Sequence, residues 1–236
     1  MPVSRPTLLL LIRHAEQETL REIDPPLSAR GRDQAELLGG RLAHLPIASI
    51  AASPLLRAQQ TAEPLAQRLG LPVQVFEDLH EARTSAESMR HVFTNTSAAA
   101  MEPHPDDYTG PALASVDVLP RFVWGKDGFS ETGAQIRERM IRVLDGLIDA
   151  NPGGIIACIS HGGAINAALG AWIDVSRDMW FVPWHTGVNA VYADGPARTV
   201  LFINDASHLA QAQDPISVVS AGLSGYHGRG SEGGHA

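Results

Sequence analysis

The sequence predicts an α/β fold around a mostly parallel sheet, with a lid inserted into it. Two patterns carry that expectation. Short apolar runs alternate with segments of helical period, as crossover connections require, and the clearest runs each end in a polar cluster. Residues 7–12 form the first run, continuous as in a parallel strand covered on both faces, and Arg13-His14-Ala15-Glu16 follows directly.

The remaining elements follow in order. Pro25-Pro26-Leu27-Ser28 reads as a turn with Ser28 as N-cap, opening an amphipathic helix to about Ala43 with apolar Ala35, Leu38 and Leu42. A strand over Ile47 to Ala52 runs into Ser53-Pro54, where Ser53 caps and Pro54 takes the first position of a helix reaching Leu69. That places Arg57 in the helix's first turn. Val73 to Phe76 is a further short strand, ending at Asp78-Leu79-His80-Glu81.

Residues 84–130 lose the pattern: prolines stand at 103, 105, 111 and 120, among the aromatic residues Tyr108, Phe122, Trp124 and Phe129. This segment reads as the inserted lid. Glu131 to Ala150 is a long helix with Ile136, Met140, Val143, Leu144 and Leu147 on one face, and Gly154 to Ser160 is a strand entering His161-Gly162-Gly163 and a helix over Ala164 to Trp172. Val188 to Ala193 and Thr199 to Ile203, split by Asp194-Gly195, form a hairpin or a pair of edge strands. The domain thus spans 1–209, and the Gly- and Ser-rich residues 210–236 have too little apolar pattern to pack and are expected to be disordered.

Composition narrows the function. A hydrophobic content of 44% suffices for one sizeable core, while a net charge of −8 argues against nucleic acid and anionic membrane as partners. Positive charge for an anionic ligand must therefore be concentrated locally. Cys158 is the single cysteine, so no internal disulfide supports an oxidising compartment, and Leu8 to Ile12 is too short for a membrane span or signal segment. A cytoplasmic location is expected. No H-E-x-x-H or comparable ligand spacing occurs among the ten histidines, and neither a metal nor another cofactor is expected.

In an open α/β sheet, ligands bind outside the carboxyl ends of the strands. Three strands here end in Arg13-His14, in Ser53 to Arg57 and in His161. Helix N-termini after Ser53 and His161 would aim backbone amides at the same place, which suits a phosphate dianion. Arg13 and Arg57 are the forks for such a phosphate, neutral His14 the nucleophile, and His161 a second phosphate ligand that stabilises charge during transfer. Glu81 lies at the sheet edge as general acid for the leaving group and base for the water that follows. His80 and Arg83 are candidate substrate contacts.

Leu11-Ile12-Arg13-His14-Ala15-Glu16 resembles the Arg-His-Gly motif of the histidine phosphatase superfamily, the phosphoglycerate mutase-like proteins. Pro26-Leu27-Ser28-Ala29-Arg30-Gly31-Arg32-Asp33-Gln34-Ala35 is similar to that family's Pro-Leu-Thr-x-x-Gly-x-x-Gln-Ala segment. Residues 53–62 resemble its second arginine motif, Ser160-His161-Gly162-Gly163 its second histidine motif, and Asn204-Asp205-Ala206-Ser207-His208-Leu209 a common late element. The resemblance implies a three-layer α/β/α sandwich, a phosphohistidine on His14, no metal, and Glu81 or a neighbour as proton donor.

Three departures stand out. Ala15 replaces the motif glycine, Leu20 stands where mutases and bisphosphatases carry a phosphate-binding asparagine, and residues 82–87 lack the family's usual Gly and Trp-Glu pattern. The expected activity is a phosphatase acting on a small soluble phosphate monoester. A phosphoglycerate mutase and a silent phosphate-binding protein are its rivals, and the strand at Val188 to Ala193, read as an exposed edge, offers a surface for a homodimer.

Overall fold

The computed structural model describes residues 5–19, 22–83 and 130–209. Most of the expected lid and the whole of the expected tail lie outside these residues, as do Leu20 and the lid aromatics. Among the described residues six strands form one sheet: β1 (Thr7–Arg13), β2 (Ile47–Ala52), β3 (Val73–Val75), β4 (Ile155–Ser160), β5 (Val188–Asp194) and β6 (Ala197–Asp205). Four α-helices accompany them there: α1 (Ala29–Leu42), α2 (Leu56–Leu69), α3 (Gly133–Ala150) and α4 (Gly162–Trp172). The spatial order is β3-β2-β4-β1-β5-β6. β1 to β4 are mutually parallel, and β5 alone runs opposite to the other five strands.

Alternation along the strands builds the three layers. Leu9, Leu11, Ile156 and Cys158 face one side, where they pack with Ile136, Met140 and Leu144 of α3 and Ile165 and Leu169 of α4. Leu10, Ile12, Ala157 and Ile159 face the other, against Leu38 and Leu42 of α1 and Ala58, Ala62 and Leu65 of α2. Both faces being covered explains why residues 7–12 read as one unbroken apolar run. Cys158 is buried in this core, and burial pushes its thiol up to about 12. No helix among the described residues is long and apolar enough to cross a membrane.

Several boundaries shift for identifiable reasons. α2 starts at Leu56, not at Pro54: the Ser53 hydroxyl is drawn toward His161, and Asp24 Oδ1 accepts the Leu56 amide at 2.7 Å in its stead. α4 begins at Gly162 because the Glu81 carboxylate takes the amides of Gly163 and Ala164, supplying from a distance the cap that the local sequence lacks. α3 begins at Gly133 behind a capping box formed by Thr132 and Gln135. β5 is not an edge: β1 and β6 pair with it on either side, which removes Val188 to Ala193 as a free surface for a homodimer. The outer strand is β6, where Leu201, Phe202 and Ile203 are exposed.

One contact ties α1 to the loop after β1. A Cβ added to Gly31 would lie 1.9 Å from the Glu16 carbonyl oxygen, so no side chain fits there without moving the loop. Gly31→Ala should destabilise the fold by about 1–3 kcal/mol through overpacking. Gly40→Ala, on the same helix with nothing within 4 Å of the new Cβ, should be neutral or gain up to about 1 kcal/mol. Urea unfolding midpoints of the two variants check this contrast.

Candidate active site

The loop after β1 is fixed from four directions. The His14 amide donates to Ser160 O at 2.9 Å, Ala15 N to Thr61 Oγ1 at 2.9 Å, Glu16 N to Gln34 Oε1 at 2.9 Å, and Ser28 N to Glu16 O at 3.0 Å. Thr61 in turn donates to Arg57 O at 2.7 Å, so α2 holds both the loop and its own arginine. Ser28, Gly31, Gln34 and Thr61 thus act as a scaffold for His14, each through a backbone group of residues 15–16 or its neighbours.

His14 is buried, and its Nδ1 lies 2.7 Å from Ala15 O. A carbonyl can only accept, so in the neutral ring the proton sits on Nδ1 and Nε2 carries the lone pair. Arg57 Nε donates to that Nε2 at 3.3 Å. The His161 ring centroid is 5.0 Å from that of His14, and His161 Nε2 is 2.7 Å from Ser53 Oγ. Arg13 Nη1 donates to Pro183 O at 2.6 Å and Arg57 Nη1 to Ile23 O at 3.1 Å. The structure therefore brings Arg13, His14, Arg57 and His161 together at the end of the sheet.

Burial first, and then the Arg57 guanidinium, hold both His14 and His161 well below the usual imidazole range. Burial likewise brings Arg13 down to about 10, with Glu81 opposing and Arg57 adding to the shift. Among the described residues, three buried polar atoms at this place have no partner: Arg13 Nε, His161 Nδ1 and His185 Nε2. A cluster of cations and neutral imidazoles with unsatisfied nitrogens is chemically suited to a multivalent oxyanion. Among the described residues, no three His, Cys, Asp or Glu side chains converge as metal ligands.

Glu81 joins the cluster as its counter-charge, acting on Arg13 and Arg57. Its carboxylate accepts from Ala82 N at 2.9 Å, Gly163 N at 3.0 Å and Ala164 N at 3.1 Å. The helix N-termini expected to greet a phosphate are consequently committed to protein groups, those of α4 to Glu81 and that of α2 to Asp24. Side chains, not these helix amides, are the groups left at this place to meet an anion.

The candidate contacts His80 and Arg83 are bonded within their own segment. His80 is buried, its Nδ1 meets Glu81 O, and Arg83 Nε donates to its Nε2 at 3.0 Å. Arg83 also reaches Glu77 at 3.2 Å. Beneath them Arg139 of α3 donates to Asp78 O and His80 O, both at 2.8 Å, to Glu81 O at 3.2 Å, and to both oxygens of Glu131. Arg139 is buried and sets the path of the backbone that presents Glu81.

Sequence reasoning missed Arg139, Asp24 and His185. The His185 ring centroid is 5.6 Å from that of His14. The rule that ligands bind at strand carboxyl ends passes over it, since it precedes β5. Because β5 is antiparallel, its start lies at the edge where the parallel strands finish.

Residues 9–206 match the model of the histidine phosphatase superfamily (branch 1), and the chain belongs to that family. It is 29% identical over 165 residues to the probable phosphoglycerate mutase GpmB of Cronobacter sakazakii, covering 67% of this chain and 71% of that protein. A mutant phosphoserine phosphatase from Entamoeba histolytica, crystallised in complex with phosphoserine, superposes with a TM-score of 0.62 at 23% identity, over 86% of this chain and 99% of that one. The phosphoglycerate mutase of Bacillus anthracis superposes with a TM-score of 0.67 at 16% identity, over 89% and 98%. The fold is shared by proteins named for hydrolysis and for transfer.

The electrostatics can be tested by titration. His14 should remain neutral at pH 6.5 in the NMR spectrum of its ring, because both burial and Arg57 oppose its charge. Arg57→Gln removes one of those causes, so the His14 titration should move up toward 6.5. For a reaction in which the His14 lone pair attacks, the acid limb of kcat/KM should move to higher pH in step.

Proposed function

We propose that the protein is a phosphatase that hydrolyses a small soluble phosphate monoester through a phosphohistidine on His14. The observation that carries this reading is the fixed tautomer of His14, whose Nε2 lone pair sits among cationic groups beside Arg57 Nε. Arg13, Arg57 and His161 hold the phosphoryl oxygens and offset the charge that spreads over them during transfer. The Nε2 lone pair attacks phosphorus as the P–O ester bond breaks, and the bonding electrons leave with the ester oxygen. The bound phosphate takes over from Glu81 as counter-charge to Arg13 and Arg57, and Glu81, carrying a proton for this half of the reaction, delivers it to that oxygen.

In the second half Glu81, now a carboxylate, takes a proton from water as the water oxygen bonds to phosphorus. The N–P bond then breaks, its electrons return to His14 Nε2, and inorganic phosphate leaves. The committed helix N-termini leave the imidazoles and guanidiniums as the principal ligands, which suits a compact dianionic group. The solved phosphatase of similar fold is named for phosphoserine, which supports a small phosphorylated metabolite as the class of substrate here.

A mutase is the second reading, favoured by the likeness to GpmB. It would use the same phosphohistidine and return the group to a phosphoglycerate. Leu20, in place of the mutase asparagine, favours hydrolysis.

Rapid quench in alkaline denaturant after mixing with a ³²P-labelled monoester should trap label on the protein, and His14→Ala should abolish both label and turnover by at least about 10³-fold. Turnover that survives His14→Ala overturns the mechanism. Glu81→Gln should slow alkyl phosphates by about 10²-fold or more, and p-nitrophenyl phosphate much less, because p-nitrophenolate leaves without a proton. Phosphoglycerate isomerisation that depends on a bisphosphoglycerate would select the mutase.

A further inference from the structure

His185 is a third imidazole at the site, and nothing in the proposed reaction uses it. Its ring lies 5.6 Å from that of His14 by centroid, tilted by 47°. Its Nε2 is buried without a hydrogen-bond partner among the described residues. Burial, followed by Arg13, Arg30 and Arg57, holds it well below the usual imidazole range, so it faces the same guanidinium groups as His14 while staying neutral. A buried ring nitrogen left unpaired is costly, and the surrounding backbone goes to some length to keep it there.

That backbone is tied to the catalytic strand. Thr186 N donates to Arg13 O at 3.0 Å, and Arg13 N donates to Gly187 O at 3.4 Å. Thr186 is fully buried with φ at 55°, a conformation that a β-branched residue adopts only under constraint. Asn204 supplies much of the constraint. It stands at φ 58°, accepts from Trp184 N at 2.7 Å and donates to Val182 O at 2.8 Å. His208, neutral with its pKa lowered to about 4 by burial and Arg41, meets the Thr186 hydroxyl at 2.9 Å. Asn204 and His208 belong to the late motif, whose physical role is to brace the turn that carries His185.

We propose that His185 is a direct phosphate ligand, its neutral imidazole donating Nε2–H to a non-bridging oxygen of the phosphoryl group bound at His14. This rests on the phosphate-transfer reading of the site. As a neutral donor on a rigid turn, the ring adds a hydrogen bond without adding a further positive charge to a cluster that already holds Arg13 and Arg57. Its contribution should be largest when the oxygens carry most charge, so a trigonal-bipyramidal mimic should sense it more than the substrate does.

The test uses the full chain, with orthovanadate and inorganic phosphate as probes. In the wild-type protein, inorganic phosphate should shift the His185 ring ¹⁵N resonances and bring Nε2 to the chemical shift of a protonated, hydrogen-bonded nitrogen. His185→Ala should weaken vanadate inhibition by about 10- to 100-fold and lower kcat for p-nitrophenyl phosphate with a smaller change in KM. His185→Asn, which keeps a donor, should recover part of the vanadate affinity. An unchanged vanadate affinity in His185→Ala overturns the proposal, as do His185 resonances indifferent to phosphate, a measurement that does not depend on any variant folding. Should wild-type protein hydrolyse no ester, the phosphatase reading falls, while the phosphate titration still decides whether His185 is a ligand.

Discussion

Two guanidinium groups and three imidazoles crowd the same edge of one sheet, and like charges in a place of low dielectric repel strongly. The structure is arranged around keeping them there. It does so by holding the imidazoles neutral through burial, by setting Glu81 as counter-charge to Arg13 and Arg57, and by anchoring guanidinium nitrogens on the carbonyls of Ile23 and Pro183. Apart from Arg13 and His14, which adjoin at the end of β1, these groups are carried by different elements, so the sheet must bring the elements into register before the site exists. Under the proposed reading, a bound phosphate would relieve a repulsion that the fold sustains without it, and so give a chain of net charge −8 a local site for a dianion.

Glu81 occupies a pivotal place in that arrangement. It is at once the counter-charge of the cations, the cap of α4 through Gly163 and Ala164, and the carboxyl to which we assign proton transfer. Arg139 fixes it from below by taking the carbonyls of Asp78, His80 and Glu81 together with the Glu131 carboxylate. Burial alone would raise the Glu131 carboxyl, but the bonds from Arg139 and the Arg83 amide outweigh it and keep its pKa below the ordinary value. A buried arginine on a helix far along the chain thereby determines where an acid six residues past a short strand points.

The fold was legible wherever a single strand or helix carried its own pattern. The apolar run at 7–12, the alternating faces of β4 and the helical spacing of α3 all report local burial, and burial is written in sequence at a period of two or 3.6. Arg13, His14, Arg57 and His161 were legible because each follows a parallel strand. What was not legible depends on distant partners. Ser53 reads as a helix cap until the position of His161 is known, and Asp24 takes over the capping from a loop more than thirty residues back. His80 and Arg83 look like free contacts in sequence yet are bonded to each other. His185 escaped because the direction of β5 is a property of the sheet, not of the residues at 188–194.

The segment between Arg83 and Ser130 leaves and rejoins the body of the protein at one point. Ser130 N donates to Arg83 O at 2.9 Å, and Arg83 N donates to Glu131 at 2.9 Å, with Arg139 gripping Glu131 from the other side. A stretch of chain entered and left through a single closed doorway can change in length and composition at little thermodynamic cost to the sheet, since the entropy of closing such a loop grows only slowly with its size. The doorway adjoins Glu81. A change of length in that stretch would therefore leave the doorway, and Glu81 beside it, where the sheet and α3 hold them.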